Sequence, residues 1–331
     1  MRHTILVLLL AALSLAAADT GVVYQGRKGP GHAKHVVFVT ADQEYRSEQS
    51  IPAFARLLAE RQGFRCTVLL PINRQTGEID AQTDDNIPGL EALRTADLMV
   101  LFLRFQELPD EQMKWIVDYT NSGRPILALR TSTHSFNYKK GTDSPYAKYS
   151  FRSKDPDGGY GRLVLGETWI NHYGAHQKES TRGVPAEGMA AHPILRGAED
   201  IWGPSDVYAI TTLSGDAKPL LMGRVLAGME PSSPPNPDKK LTPVAWIKTY
   251  TGSSGRASRV FTTTMGHPGD FRSEGFRRML VNACYWALGM EKKIPARANV
   301  DFVGDYNPTG IGFRKDKRGV RLSDLRPTAA R

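Results

Sequence analysis

The sequence has little cysteine. Only Cys66 and Cys284 occur in 331 residues, so no cluster of thiols is available for a structural zinc or iron–sulfur site. Both lie among apolar residues, and we expect two free, buried thiols. A disulfide is the alternative that an exported chain would permit.

A glycine-rich phosphate loop is also missing. The turn after the first predicted strand reads Thr40-Ala-Asp-Gln-Glu-Tyr, and its two acidic residues would repel a pyrophosphate. No signature of a nucleic-acid-binding fold occurs either. We therefore expect neither a nucleotide cofactor nor a nucleic-acid partner, and no cofactor at all unless a divalent metal binds.

Long apolar runs are confined to the N-terminus. A basic start, an apolar run at 5–15 and the sequence Ala16-Ala-Ala18 are typical of a secretory signal peptide. The run is shorter than the roughly 20 residues that a permanent anchor needs. We expect residues 1–18 to be a signal peptide, the mature protein to be secreted or periplasmic, and no membrane span to remain. A disordered start or an uncleaved anchor is the alternative.

The charge balance is basic, with a formal net charge of +9 at pH 7. Much of the excess follows Glu291, so residues 291–331 are expected to form a basic C-terminal tail. Such a tail can bind nucleic acid or an anionic surface. In an exported chain without a nucleic-acid motif, we interpret it as a solvated tail.

The apolar pattern predicts one α/β domain at 35–290, after an N-terminal extension at 19–34. Continuous apolar runs predict buried strands at 35–40, 64–70, 97–103 and 125–129, and helical spacing predicts helices at 48–61, 109–120 and about 276–287. Strands without polar alternation are covered on both faces, which predicts a parallel sheet. Ser47 is the predicted N-cap of the first helix. A glycine-containing turn at 251–255 predicts a hairpin.

Polar residues follow the predicted strands, and ligands bind beyond the carboxyl ends of parallel strands. The strand at 125–129 leads into Arg130-Thr-Ser-Thr-His134, which we therefore expect in the site. His172 and His176 are four residues apart, but Tyr173 stands where the zinc-protease pattern has glutamate, and Gly174 argues against a helix.

The order of the segments resembles the trehalose-utilisation (ThuA-like) family over about residues 35–290. The segments that carry the resemblance are Arg130-Thr-Ser-Thr-His134, Trp169-x-x-His172, His192-Pro-Ile194, Asp206-Val-Tyr208, Pro243-Val-Ala-Trp246, Arg259-Val-Phe261 with Gly266-His267, and Trp286-Ala-Leu-Gly289. The resemblance implies a flavodoxin-like, class I glutamine amidotransferase-like fold: a three-layer sandwich with a mostly parallel central sheet. It also implies a role in disaccharide utilisation.

Arg130 stands where the amidotransferases carry their nucleophilic cysteine. Because arginine cannot deprotonate in a protein, amidotransferase thiol chemistry is excluded. His267 would keep the position of the amidotransferase triad histidine. A serine nucleophile at Ser132 is disfavoured, because no third orienting group has a defined place.

The predicted chemistry is proton transfer next to a carbonyl, with His134 or Glu44 as base and Arg130 as the oxyanion partner. His267 completes the predicted catalytic set. Rings would stack on the apolar faces of a sugar while charged groups take its hydroxyls. The predicted substrate-binding residues are Asp42, Tyr45, Arg46, Arg104, Thr131, Trp169, His172, Asp206 and Tyr208.

The leading hypothesis is an exported protein that acts on a carbohydrate, such as a keto-sugar or disaccharide, as an isomerase, lyase or hydrolase. One alternative is a non-catalytic sugar-binding or scaffold protein that lost the amidotransferase thiol. The other is a metal-dependent hydrolase. Its metal would be held by His134, His172 and His267, or by a His172–His176 chelate.

Overall fold

The computed structural model describes residues 20–154, 158–210 and 212–327. The predicted signal peptide at 1–18 lies outside the described residues. Among the described helices, none combines the length and the apolar character that crossing a bilayer requires.

A mixed sheet of ten strands forms the centre of the described structure. In space the strands lie in the order β1-β3-β2-β4-β5-β10-β9-β8-β6-β7. The strands are β1 Val22–Gln25, β2 His35–Ala41, β3 Arg65–Leu69, β4 Leu98–Leu103, β5 Ile126–Leu129, β6 Ser180–Pro185, β7 Trp202–Gly203, β8 Lys218–Leu226, β9 Thr242–Thr251 and β10 Ala257–Thr263. The helices are α1 Ser47–Gln62, α2 Asp110–Asn121, α3 Glu274–Ala287 and the short α4 Leu322–Leu325.

The first half of the sheet is parallel, as the apolar runs predict. Strands β3, β2, β4, β5 and β10 pair side by side in parallel. Every residue of β2, β4 and β5 is buried, because neighbouring side chains enter two separate core layers. Phe38 belongs to the layer that contains α1 and α3 residues, and Val37 belongs to the layer that contains α2 residues.

The predicted three-layer sandwich with a mostly parallel sheet is wrong. Beyond β10 the strands β9, β8, β6 and β7 are all antiparallel to their neighbours, and β1 adds an antiparallel edge beside β3. The physical reason is the connections: β9 and β10 are joined by a short turn, and a hairpin can join only antiparallel strands. The alternation of strands and helices before residue 130 does not continue in the second half of the chain.

Individual elements match the predictions closely. The predicted strands and the helices at 48–61 and 109–120 are present with small shifts at their ends, and the hairpin around 251–255 is confirmed. Ser47 as N-cap is wrong: Arg46 holds that position with a left-handed backbone (φ 56°), and Ser47 is the first helical residue. Cys66 and Cys284 are free and buried.

The C-terminal segment packs along α1. The Tyr306 hydroxyl lies 2.8 Å from Ser50 Oγ, and Gln49 Nε2 donates to Thr309 Oγ1 at 2.9 Å. Further along, Arg46 donates to the backbone oxygen of Gly312 at 2.8 Å. The segment therefore reaches from α1 to the loop that follows β2.

The burial of His35 at the start of β2 can be tested by its titration. It is the first residue of β2, and its Nε2 lies 2.9 Å from Thr67 Oγ1. Burial lowers the pKa of His35 to about 4 from its ordinary 6.5. The unfolded chain therefore takes up this proton first, and the protein loses stability as pH falls from about 6.5 to about 4.

NMR titration of the His35 imidazole in the folded protein should give a midpoint near 4. His35→Gln should remove the corresponding part of the pH dependence of the unfolding free energy. A folded-state midpoint near 6.5 would show that this ring is solvated.

Candidate functional site

Arg130 begins the single helical turn Arg130–His134 that follows β5, and its side chain is fully buried. Its backbone is left-handed, with φ 43°. Gly266, at the end of the neighbouring β10, lies against it: a Cβ on Gly266 would come within 2.8 Å of the Arg130 Cβ. A glycine there lets the two strand ends meet.

Both terminal nitrogens of the Arg130 guanidinium donate to the protein, whereas its buried Nε has no hydrogen-bond partner in the structure described. Nη1 donates to the backbone oxygens of Asp206 at 2.7 Å and Thr264 at 2.8 Å. Nη2 donates to Tyr45 Oη at 2.9 Å and to Asp206 Oδ1 at 2.7 Å. The rings of Tyr45 and Tyr208 lie against the guanidinium, with centroids 4.6 and 4.2 Å from Cζ. Every Nη hydrogen of Arg130 is thus donated to a protein oxygen. The role of Arg130 as oxyanion partner stays a prediction.

Two imidazoles converge on the carboxylate that Arg130 holds. His172 Nδ1 lies 2.5 Å from Asp206 Oδ2, and His176 Nδ1 lies 3.0 Å from Asp206 Oδ1. The Asp206 side chain is almost inaccessible, whereas the two imidazole side chains are 32% and 29% exposed. A buried, fixed acceptor therefore orients two rings that remain open to solvent.

The loop at 171–176 is held against residues 206–208 by its backbone rather than by a helix. The amides of Tyr173 and Gly174 both donate to the oxygen of Val207, at 2.8 and 3.0 Å. A Cβ on Gly174 would lie 3.1 Å from Val207 N and 3.4 Å from Asp206 Cβ, so a side chain here would crowd the contact. The sequence was right that Gly174 opposes a helix, and the two imidazoles meet without one.

Charge and burial shift the pKa values of this group. Burial opposes ionisation of Asp206, but Arg130 and the two imidazole donors outweigh it and hold the pKa of the carboxyl well below its usual range. The hydrogen bond to Asp206 raises the pKa of His176 above its ordinary value, against the opposing effect of burial.

Glu44 and Arg104 form the outer edge of the cluster, with side chains 14% and 15% exposed. Glu44 Oε1 lies 3.5 Å from His176 Nε2, and Oε2 lies 3.4 Å from Arg104 Nη2. The Arg104 guanidinium also lies over the rings of Phe105 and Phe313. Phe313 is 54% exposed, so the C-terminal segment contributes an apolar side chain beside this edge.

Trp169 connects the imidazole pair to His134. Its ring centroid is 5.7 Å from that of His172 and 5.3 Å from that of His134. Trp169 is half-buried, and the next residue, Ile170, is 49% exposed. An aromatic face and an exposed aliphatic side chain thus border the polar cluster.

His134 and His267 lie deeper. His134 is 3% exposed beside the rings of Phe105, Phe151 and Trp169, and burial, with nearby arginines, lowers its pKa well below the ordinary value. His267 Nδ1 accepts the Gly269 amide at 2.8 Å, and burial lowers its pKa to about 3. Both are neutral at pH 7. Their catalytic roles stay predictions.

Three predicted substrate-binding residues, Asp42, Thr131 and Arg46, make hydrogen bonds within the protein, and their binding roles stay predictions. Asp42 is fully buried and accepts the Thr131 hydroxyl and the amides of Glu44 and Tyr45, the latter two at 2.6 Å, which shapes the loop after β2. Arg46 lies beneath the C-terminal segment. Other predicted residues form one connected cluster, in which His176 joins Glu44 to Asp206. The predicted residues in this cluster are Glu44, Tyr45, Arg104, Arg130, Trp169, His172, Asp206 and Tyr208.

The candidate metal ligands differ from the predicted set. Within the described parts of the chain, ligand atoms of His172, His176 and Asp206 lie within 4.8 Å of one another. This set contains His172 but neither His134 nor His267. His176 was not among the predicted catalytic or substrate-binding residues, but the alternative His172–His176 chelate named it from its spacing of four.

A sequence model of one family, described as "ThuA: Trehalose utilisation", matches residues 35–287. Among solved structures, the chain is similar to a thua-like protein from Bacteroides uniformis ATCC 8492, with 15% identity, a TM-score of 0.47, and coverage of 79% of this chain and 93% of that one. It is also similar to a thua-like protein from Parabacteroides merdae ATCC 43184, with 14% identity, a TM-score of 0.48, and coverage of 89% and 99%. No curated protein matches the chain.

The buried pair of Arg130 and Asp206 predicts a large stability effect. Asp206→Asn removes the charge that compensates a fully buried guanidinium, which should lower the unfolding free energy by about 3–5 kcal/mol. Urea unfolding measures the change.

The matched control is Asp118→Asn, which breaks an exposed pair with Lys114 on α2 and should cost less than about 0.5 kcal/mol. Equal stability of Asp206→Asn and the wild type would contradict the assignment of a buried ion pair.

Proposed function

The chain belongs to the ThuA family and is a trehalose-utilisation-related protein, and from this premise we propose that it is an exported enzyme that acts on a carbohydrate. The sugar binds beside Trp169, and Glu44 accepts a proton from it. The carrying observation is the partly exposed carboxylate of Glu44, which lies between His176 and Arg104 and whose two oxygens face the cluster.

The rim of the cluster has the composition that a sugar requires. Sugars combine apolar C–H faces with hydroxyls, so they fit sites where aromatic faces adjoin charged hydrogen-bonding groups. Trp169 supplies a half-buried ring, and Ile170 and Phe313 supply exposed apolar surface. Glu44 and Arg104 supply a carboxylate and a guanidinium at the same edge.

Glu44 is a better candidate for the base than His134. A general base has to reach the proton that it removes, and His134 is 3% exposed with a pKa well below its ordinary value. The Glu44 side chain, in contrast, lies at the solvent edge, and no backbone amide is among its partners in the structure described.

The substrate test uses trehalose, related disaccharides and their keto derivatives. Trp169→Ala should weaken binding of the preferred sugar at least tenfold by calorimetry, because it removes the stacking surface. Trp115→Ala is the matched control. Trp115 is also half-buried, but it lies on α2 and packs against the core layer that contains Val37. Equal losses in the two variants would contradict a specific role for Trp169.

The catalytic test is Glu44→Gln. Removing a general base should reduce turnover by a factor of about 10²–10⁴ while sugar affinity changes less than about threefold. Full turnover by Glu44→Gln would exclude Glu44 as the base. Saturable sugar binding by the wild type without turnover would instead favour a non-catalytic sugar-binding protein.

A further inference from the structure

We propose that His172, His176 and Asp206 bind one divalent transition-metal cation, and that this cation is the electrophile that polarises an oxygen of the sugar. The catalytic role of the metal rests on the proposed function. The binding of the metal does not, because it follows from the positions of the three side chains.

The donor set selects the class of metal. Two imidazoles and one carboxylate are ligands typical of zinc and neighbouring first-row metals, whereas calcium and magnesium prefer oxygen ligands throughout. The ligand atoms of the three residues already lie within 4.8 Å of one another. Three protein ligands also leave a coordination position for an oxygen of a substrate.

The carboxylate is fixed before any metal binds. Arg130 Nη2 donates to Asp206 Oδ1 at 2.7 Å, and Nη1 holds the backbone oxygen of the same residue. Such outer partners orient metal ligands and are needed for high affinity. A backbone bridge between His172 and Tyr208 fixes the main chain that carries one of the imidazoles.

Only a small movement is needed to admit the cation. Neighbouring ligands on a tetrahedral zinc lie about 3.3 Å apart, and the hydrogen bonds from the imidazoles to Asp206 measure 2.5 and 3.0 Å. Both imidazole–carboxylate distances are therefore within about 1 Å of that spacing. Both rings are about one third exposed, so they have room to move while Asp206 stays fixed.

The proposed chemistry needs an electrophile that Arg130 does not supply. All of its Nη hydrogens are donated to protein oxygens. Without a metal, Asp206 and Glu44 are balanced by Arg130 and Arg104, so the cluster carries little net charge. A divalent cation would add positive charge at the mouth of the cluster, where it could hold a carbonyl or hydroxyl oxygen close to Glu44.

The test titrates chelator-treated, full-length protein with Co²⁺ and Zn²⁺. We expect one equivalent of each to bind, and visible absorption from Co²⁺ in a site of nitrogen and oxygen ligands. His172→Ala and His176→Ala should each weaken binding at least tenfold. His32→Gln, which removes an exposed imidazole outside the cluster, should bind like the wild type. Circular dichroism confirms that each variant is folded; the variants avoid Asp206 because its loss would unbalance Arg130.

Failure of the wild type to bind one equivalent of Co²⁺ or Zn²⁺ would overturn the proposal. Binding by both cluster variants as tightly as by the wild type would also overturn it. Sugar binding is measured separately with metal-free protein. Turnover that persists without metal would overturn the catalytic role of the cation while leaving the proposed function intact. Metal binding without affinity for any tested sugar would support the site and refute the proposed function.

Discussion

The buried ion pair between Arg130 and Asp206 is the interaction on which the rest of the site depends. A fully buried guanidinium is costly unless each donor finds an acceptor. Here the acceptors for the four Nη hydrogens come from three separate parts of the chain: the loop after β2, residue 206 and the end of β10. Arg130 thereby joins both halves of the mixed sheet. Asp206, held by Arg130, in turn positions His172 and His176 through hydrogen bonds.

The residue that follows the central strand β5 is not itself open to solvent. Arg130 remains at the end of a central strand, but it points inward and is enclosed by Tyr45 and Tyr208. The groups that reach solvent are one layer further out: Glu44, His172 and His176. The groups proposed for chemistry therefore lie on the loops that pack around the end of β5.

The sequence predicted the parallel half well because each strand there is a continuous apolar run followed by a helix with clear spacing. In the second half it predicted the β9–β10 hairpin but not β6 or β8, whose residues mix buried and exposed positions. In the site, Asp206 and His172 were predicted from the segments that carry them, and the structure brings the two side chains into contact. The burial of His134 was not predicted. The direction of its side chain depends on packing against Phe105 and Phe151, which lie far apart in the chain. The pairing of His176 with Asp206 depends likewise on the loop contact at Gly174.

The central claim is that one carboxylate orients two imidazoles, and proton NMR of the metal-free protein tests it most directly. The account predicts that the Nδ1 protons of His172 and His176 both give downfield, hydrogen-bonded resonances, and that Asp206→Asn shifts both of them together. Asp42→Asn, which alters a buried carboxylate outside this pair of contacts, should leave both resonances in place. If either imidazole resonance were unchanged in Asp206→Asn, that ring would be held by something else, and the account would be contradicted.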